Sequence, residues 1–149
     1  MKIRNMFCVE KNILKTGRDC DNEIPIQNLG KINTKLLEKK FGKIKSDEII
    51  ITNERIEHIK KRHSEDYELF IKYGVSCIDA PDLIILDKKN KGTVFMIKKL
   101  FETNINVVVR IVLQDDNINF KNSIMTFYRI RDKNLKKLIN KNEVLYKKE

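Results

Sequence analysis

All the imidazole chemistry of this chain is confined to one stretch, Thr52-Asn53-Glu54-Arg55-Ile56-Glu57-His58-Ile59-Lys60-Lys61-Arg62-His63, which holds both of its histidines among its densest mixed charge. An unperturbed imidazole titrates near neutral pH, so it can take or give a proton under ordinary conditions. Thr52 followed by Glu54 and Arg55 predicts a helix start, with the threonine oxygen accepting from first-turn N–H groups. At about 100° per residue, His58 and Arg62 lie one turn apart and share a face with Arg55. Ile56 and Ile59 form a separate apolar ridge that would seat the helix on a core. His63 falls about 140° from His58, so the two rings are expected to point to different places. Such a helix offers a base and a cation to an anionic substrate, although a solvated polar face would carry the same residues.

Further candidates lie in the second half of the chain. Strand alternation over Ser123–Ile130 places Thr126 and Tyr128 on one face with Ile124 and Ile130, and Ser123, Met125, Phe127 and Arg129 on the other. Arg110 sits among valines, with Val108 and Val112 on its own face, and a buried arginine needs an acidic partner or an anionic ligand. Lys98 and Lys99 offer one cation to each side of their strand. A sheet face bearing Arg110, a lysine, Thr126 and Tyr128, flanked by His58 and Arg62 with Lys61 beside them, would suit phosphodiester chemistry.

The reaction such a set permits is metal-free RNA cleavage. A base takes the proton of the ribose 2′-OH, which attacks the adjacent phosphorus and expels the 5′-oxygen. His58 would serve as base or acid, and Arg62, Arg110 and a lysine would stabilise charge on the phosphorane. Thr126 would donate to a phosphate oxygen, and Tyr128 would stack on a splayed base or move a proton. Bland readings exist for each residue: Thr126 and Tyr128 are ordinary strand formers, Arg110 can pair with Glu102 or Asp115, and His63 can cap a helix end. The histidine spacing matches neither HxxxH nor HExxH, and Cys8, Cys20 and Cys77 form no CxxC pair. No metal site, cofactor or disulfide framework is therefore expected. Cys77, in an apolar context, reads as a buried small residue.

The elements that must position these groups follow from periodicity and turn residues. Residues 1–29 show turn signals at Gly17–Asn22 and around Pro25 with no sustained period. They are expected to be an irregular extension, with a strand or short helix near Met6–Leu14. Residues 30–149 are expected to form the domain. A short helix is predicted over Lys35–Phe41, a strand or buried connector at Ile49–Ile51, and the Thr52–His63 helix next. Another helix is predicted from Asp66, stopping at Gly74, with a short continuation to Pro81. Four strands follow: Asp82–Asp87, Thr93–Leu100, Asn104–Leu113 and Ser123–Ile130, with turns at Lys88–Gly92 and Asp115–Asn117. A basic helix, Asn134–Asn140, closes the chain. Helices followed by strands on short turns predict an α+β domain, its N-terminal helices packed on a four-stranded antiparallel sheet.

The chain has 149 residues, of which 41% are hydrophobic, and that fits one domain with a substantial core. No apolar run is long enough to cross a membrane. Met1–Cys8 lacks the features of a signal peptide, so the expected location is cytoplasm, whether the producing cell's or that of a cell it is delivered into. A formal charge of +10 and pI near 9.5 call for a polyanionic partner, RNA or DNA first. From Arg129 to Glu149, eight Lys and Arg oppose three Asp and Glu, which places half of that net charge in the last 21 residues. The abundance of Lys, Asn and Ile also fits an AT-rich coding bias, which would carry part of the charge without function.

Several ordered stretches resemble the phage-encoded branch of the barnase–EndoU–colicin–RelE nuclease superfamily: Gly30-Lys31-Ile32 leading to Leu36-Leu37, Glu57-His58-Ile59-Lys60-Lys61-Arg62-His63, Ala80-Pro81-Asp82-Leu83-Ile84, and Asn122-Ser123-Ile124-Met125-Thr126-Phe127-Tyr128. The resemblance covers about residues 30–147. It implies helices on a four-stranded antiparallel sheet with a metal-independent RNase site on the open face, and singles out His58, Arg62 or His63, and Thr126. It also implies a toxin or effector that cuts tRNA or other structured RNA under the control of a cognate immunity protein or antitoxin. Two other classes compete with this reading: a non-catalytic RNA- or DNA-binding protein using the same basic face, and a phage structural or adaptor protein.

Overall fold

The computed structural model describes residues 26–116 and 120–149, with the backbone alone for 26–29. The element expected near Met6–Leu14, the Gly17–Asn22 turn, Cys8, Cys20 and Asn117 lie outside the described residues. The order is β1 (Ile26–Lys31), α1 (Lys35–Phe41), β2 (Glu48–Thr52), α2 (Asn53–Arg62), α3 (Ser64–Asp79), β3 (Leu83–Leu86), β4 (Thr93–Lys99), β5 (Asn104–Arg110), β6 (Asn122–Ile130), α4 (Asp132–Lys141) and β7 (Val144–Lys147).

The expected strands β3 to β6 form the antiparallel meander, but the sheet has seven strands, in the order β1-β2-β6-β5-β4-β3-β7. The four-stranded expectation fails at both ends for one reason. The meander alone would leave the hydrogen-bonding edges of β3 and β6 open, and sheet edges are satisfied by whatever backbone can reach them. β7 pairs antiparallel with β3, so the basic helix does not close the chain. On the other side β2 pairs with β6 in parallel, through Ile49↔Asn122 and Ile50↔Ser123, and carries the antiparallel β1 outside it. β1 begins at Ile26, within the stretch expected to be irregular.

Side-chain period explains the helices. In α3 the buried residues Asp66, Phe70, Gly74, Cys77 and Ile78 recur at helical spacing along one stripe. Gly74 was expected to end a helix there, yet α3 runs through it to Asp79. A Cβ at Gly74 would stand 2.9 Å from the Phe70 ring, so the glycine serves close packing and its C-capping role is not used. Phe70 in turn meets Phe127 of β6 edge-on at 4.7 Å. Helices α1 to α3 thus pack on the face bearing Ile105, Val107 and Val109 of β5, Val94 and Met96 of β4, and Ile124 and Phe127 of β6. Leu135 of α4, with Leu138 and Ile139, covers part of the opposite face against Leu83, Ile85, Ile97 and Ile130, so helices lie on both sides of the sheet.

β5 occupies the middle of the sheet, which suits a run of valines. The alternation expected for β6 is broken by a bulge. Val108 pairs with Thr126 and the next residue, Val109, with Ile124, so Met125 is the extra residue. Ile124 and Phe127 therefore share the helix-packed face, and Thr126 and Tyr128 stand on the other with Ile130, which corrects the expected partition.

Candidate active site

Helix α2 starts as the sequence predicts: the Thr52 hydroxyl accepts from the Arg55 N–H at 3.2 Å, and Ile56 and Ile59 are buried. Because β2 turns into α2 at Thr52, its register with β6 covers only the first two residues of that strand. The remaining outer edge of β6 is met by α2 and by the start of α3. His63 is the single residue between those helices. Its N–H donates to the Ile59 carbonyl at 2.7 Å, and its own carbonyl accepts from Asp66 at 2.8 Å. The backbone is thus tied to both helices. The imidazole stands 5.6 Å from the Tyr128 ring, centroid to centroid, at an interplanar angle of 58°.

Asp66 secures this junction. Its carboxylate accepts the Arg129 backbone N–H at 3.1 Å and the Arg129 Nε–H at 2.5 Å, while Glu65 takes the Arg129 guanidinium at 3.1 Å. A strand N–H that would otherwise need a neighbouring strand is satisfied by a side chain from α3. The first turn of that helix is also where a negative charge is favoured by the exposed N–H groups. The clamp holds His63 three residues away on one side and Tyr128 one residue away on the other.

Thr126 and Tyr128 share their face with Val108 and Asn106, which lie directly opposite them on β5. The Thr126 hydroxyl oxygen is covered and finds no hydrogen-bond partner among the described residues. Asn106, absent from the expected set, is fully buried and both its amide nitrogen and its oxygen lack a partner. Its signal in the sequence is an amide between Ile105 and Val107, in a run otherwise made of strand formers.

The other expected residues do not converge on this face. His58 is half-buried and Lys61 and Arg62 are exposed along α2. Among the described residues, the ring contact made to Tyr128 is that of His63, and no hydrogen bond or ion pair joins His58 or Arg62 to Thr126 or Tyr128. Arg110 pairs with Asp116 at 3.1 Å, where Glu102 or Asp115 had been the candidates, and also donates to the Ile111 carbonyl. Asp116 accepts the Leu113 N–H at 2.7 Å, and that bond together with Arg110 holds its carboxyl below the usual carboxylate range. Asp115 instead pairs with Lys91. Arg110 faces Thr93 at the start of β4, whereas Lys98 and Lys99 end that strand opposite Ile105 and Asn104. At ~3.3 Å per residue the two ends are roughly 20 Å apart, so Arg110 and the lysines cannot grip one phosphate. Lys98 donates to the Ala80 carbonyl at 2.9 Å, and the Lys99 backbone donates to Asp82 at 2.7 Å.

Cys77 is buried, and burial pushes its thiol up to about 12, which leaves it protonated and inert as a nucleophile. Among the described residues, no three His, Cys, Asp or Glu side chains group as metal ligands, and no helix is long and apolar enough to cross a membrane. The arrangement on the sheet therefore offers an imidazole against a phenol and an unpaired hydroxyl.

A family model described as phage-Barnase-EndoU-ColicinE5/D-RelE like nuclease2 matches residues 26–147, from the first residue of β1 to the last of β7. No curated protein and no solved structure matches the chain.

Proposed function

The chain belongs to the phage barnase–EndoU–colicin E5/D–RelE-like nuclease 2 family, and from that premise we propose that it is an endoribonuclease that cleaves by attack of a ribose 2′-OH on the adjacent phosphodiester, without a metal. The observation that carries this reading is the His63 ring set against Tyr128 on the sheet face that also bears Thr126. An imidazole at this position takes the 2′-OH proton or delivers one to the departing 5′-oxygen. The new bond joins the 2′-oxygen to phosphorus, the bond to the 5′-oxygen breaks, and the products are a 2′,3′-cyclic phosphate and a 5′-hydroxyl. Thr126 donates to a non-bridging phosphate oxygen, and Arg62 and Lys61 neutralise the backbone at the end of α2. Tyr128 supports the imidazole and offers a stacking surface to a splayed base. His58, one turn before Arg62, is the alternative base. A toxin or effector role in the cytoplasm, with tRNA or another structured RNA as target and an immunity protein or antitoxin as partner, is the corresponding biological setting.

The test is incubation of the full chain with total bacterial RNA in EDTA, beside His63→Ala and His58→Ala, with end-group analysis of the fragments. The expected result is discrete fragments with cyclic phosphate ends from the wild type and His58→Ala, and a loss of roughly 10²- to 10⁴-fold in His63→Ala. Equal cleavage by His63→Ala and the wild type would overturn the assignment of the base. A salt-sensitive gel shift without cleavage in all three would favour a binding module instead.

A further inference from the structure

Among the described residues three asparagines are buried, and two of them have partners for their amides. Asn122 accepts the Val112 N–H at 2.8 Å and donates to the Ser46 and Glu48 carbonyls at 2.6 and 2.8 Å. Asn104 donates to the Ile130 carbonyl at 3.1 Å and to Asp132 at 2.7 Å. Asn106 is 0% exposed, and neither polar atom of its amide has a partner. It sits in β5, the central strand, where an asparagine is unfavourable by strand preference as well as by desolvation. A leucine or valine would serve the sheet better. A buried polar group that the fold leaves unpaired calls for an explanation, and a ligand that brings the missing partner supplies one.

The position of the amide identifies that partner. Asn106 lies directly across from Tyr128, and Thr126, whose hydroxyl oxygen is also covered and unpaired, is its diagonal neighbour on the same face. Three unpaired polar atoms, two on Asn106 and one on Thr126, therefore adjoin the ring that packs against His63. A carboxamide presents one donor beside one acceptor, which is the pattern of a nucleobase edge and not of a phosphate, since a phosphate offers acceptors only. We infer that Asn106 is the base-reading residue of this site: a splayed nucleobase displaces the Tyr128 ring, stacks on it, and pairs edge-on with the Asn106 amide, with Thr126 completing the contact. The inference rests on the nuclease reading of the same face and adds that cleavage selects one base at the adjoining nucleotide. Displacement of Tyr128 would couple base recognition to the placement of His63, because the two rings pack together.

The experiment uses the full chain and four short RNAs identical except for one central nucleotide, with Asn106→Leu, nearly isosteric and apolar, and Asn106→Thr as a second strand former. Cleavage rates, affinities for the same RNAs carrying a single 2′-deoxy nucleotide at the cut, and Tm are measured. The wild type is expected to prefer one base by roughly ten- to hundredfold, the range of a good paired contact. Both variants should lose that preference, and the Tm of Asn106→Leu should stay level or rise by a few degrees, since an unpaired amide has been removed. A lower Tm with the preference intact in either variant, or a wild type indifferent to the base, would overturn the inference while leaving the nuclease reading standing. No cleavage by the wild type, but an Asn106-dependent base preference in binding, would sink the catalytic reading and support this one. Neither cleavage nor preferential binding would sink both.

Discussion

Replacing Asp66 with Asn removes a charge that the fold uses twice, at nearly constant volume. In the native protein the carboxylate accepts both the backbone N–H and the Nε–H of Arg129, from a side chain that is only 10% exposed. An asparagine oxygen can keep one of these bonds as a neutral one, but its NH₂ group then faces the second donor. One charge-assisted bond is lost, worth about 1.5–3 kcal/mol, and the other weakens. The first turn of α3 also loses a favourable negative charge, about 0.3–1 kcal/mol. The Arg129 side chain is 43% exposed, and water recovers part of the loss. The expected destabilisation is thus about 2–3 kcal/mol, seen as a lower urea midpoint at unchanged m and as a Tm lower by roughly 4–12 °C. Hydrogen exchange gives a local check, since protection of the Arg129 amide should fall more than that of Val107 in the middle of the sheet. Destabilisation below about 0.5 kcal/mol, with the Arg129 amide still protected, would refute the view that a carboxylate stands in for a missing strand at the edge of β6.

Gly92 has φ +78°, and a Cβ there would lie 2.4 Å from the Arg110 guanidinium, so Gly92→Ala should cost about 2 kcal/mol or more and release the Arg110–Asp116 pair, measurable by urea melts. Asp116 titrates lower in the folded state than the 3.8 of a free carboxyl, so its contribution is complete above about pH 4 and is lost as the pH falls through its folded value. Asp116→Asn should therefore be less stable than the wild type at about pH 6, with the gap narrowing as the pH is lowered below the free carboxyl's range, in parallel melts over a descending pH series. In a Cys8→Ser, Cys20→Ser background, Cys77 should react with a thiol reagent at pH 8 only at the rate of unfolding, because the thiol is buried and titrates at about 12. Fast native labelling would contradict its burial.

The meander and the Asn53–Arg62 helix were legible because their apolar periods are clean and their caps and turns use the expected residues, Thr52 and Gly92 among them. Gly74 was misread because glycine ends helices when φ is positive but also lets a ring approach a helix closely, and only packing distinguishes the two uses. β7 escaped notice because three half-buried residues and an exposed lysine carry no period of their own and pair with β3 for want of any other backbone. The candidate site was legible as residue types and not as geometry. His58 and Arg62 were expected beside Thr126 and Tyr128, whereas the ring that meets Tyr128 is that of His63, and the bulge at Met125 decides which side of β6 faces where. No alternation rule anticipates it. Arg110 and the two lysines, grouped by charge alone, prove to lie at opposite ends of the β4–β5 pair, because faces can be read from a sequence more easily than positions along them. The unpaired amide of Asn106 was visible as an oddity of composition, but its meaning depends on partners that only three dimensions reveal.

The parallel pairing of β2 with β6 has a consequence for how the protein is made. The histidine junction is synthesised 65 residues before Tyr128, and at the usual ~5–20 residues per second that gap lasts roughly 3–13 s on the ribosome. During that interval α2 and α3 have β1 and β2 to pack against but not β6, which both helices also meet. His63 can hold its position only once Arg129 has emerged to meet Asp66. The packing of His63 on Tyr128 thus closes only after both helices that flank the histidine have been made.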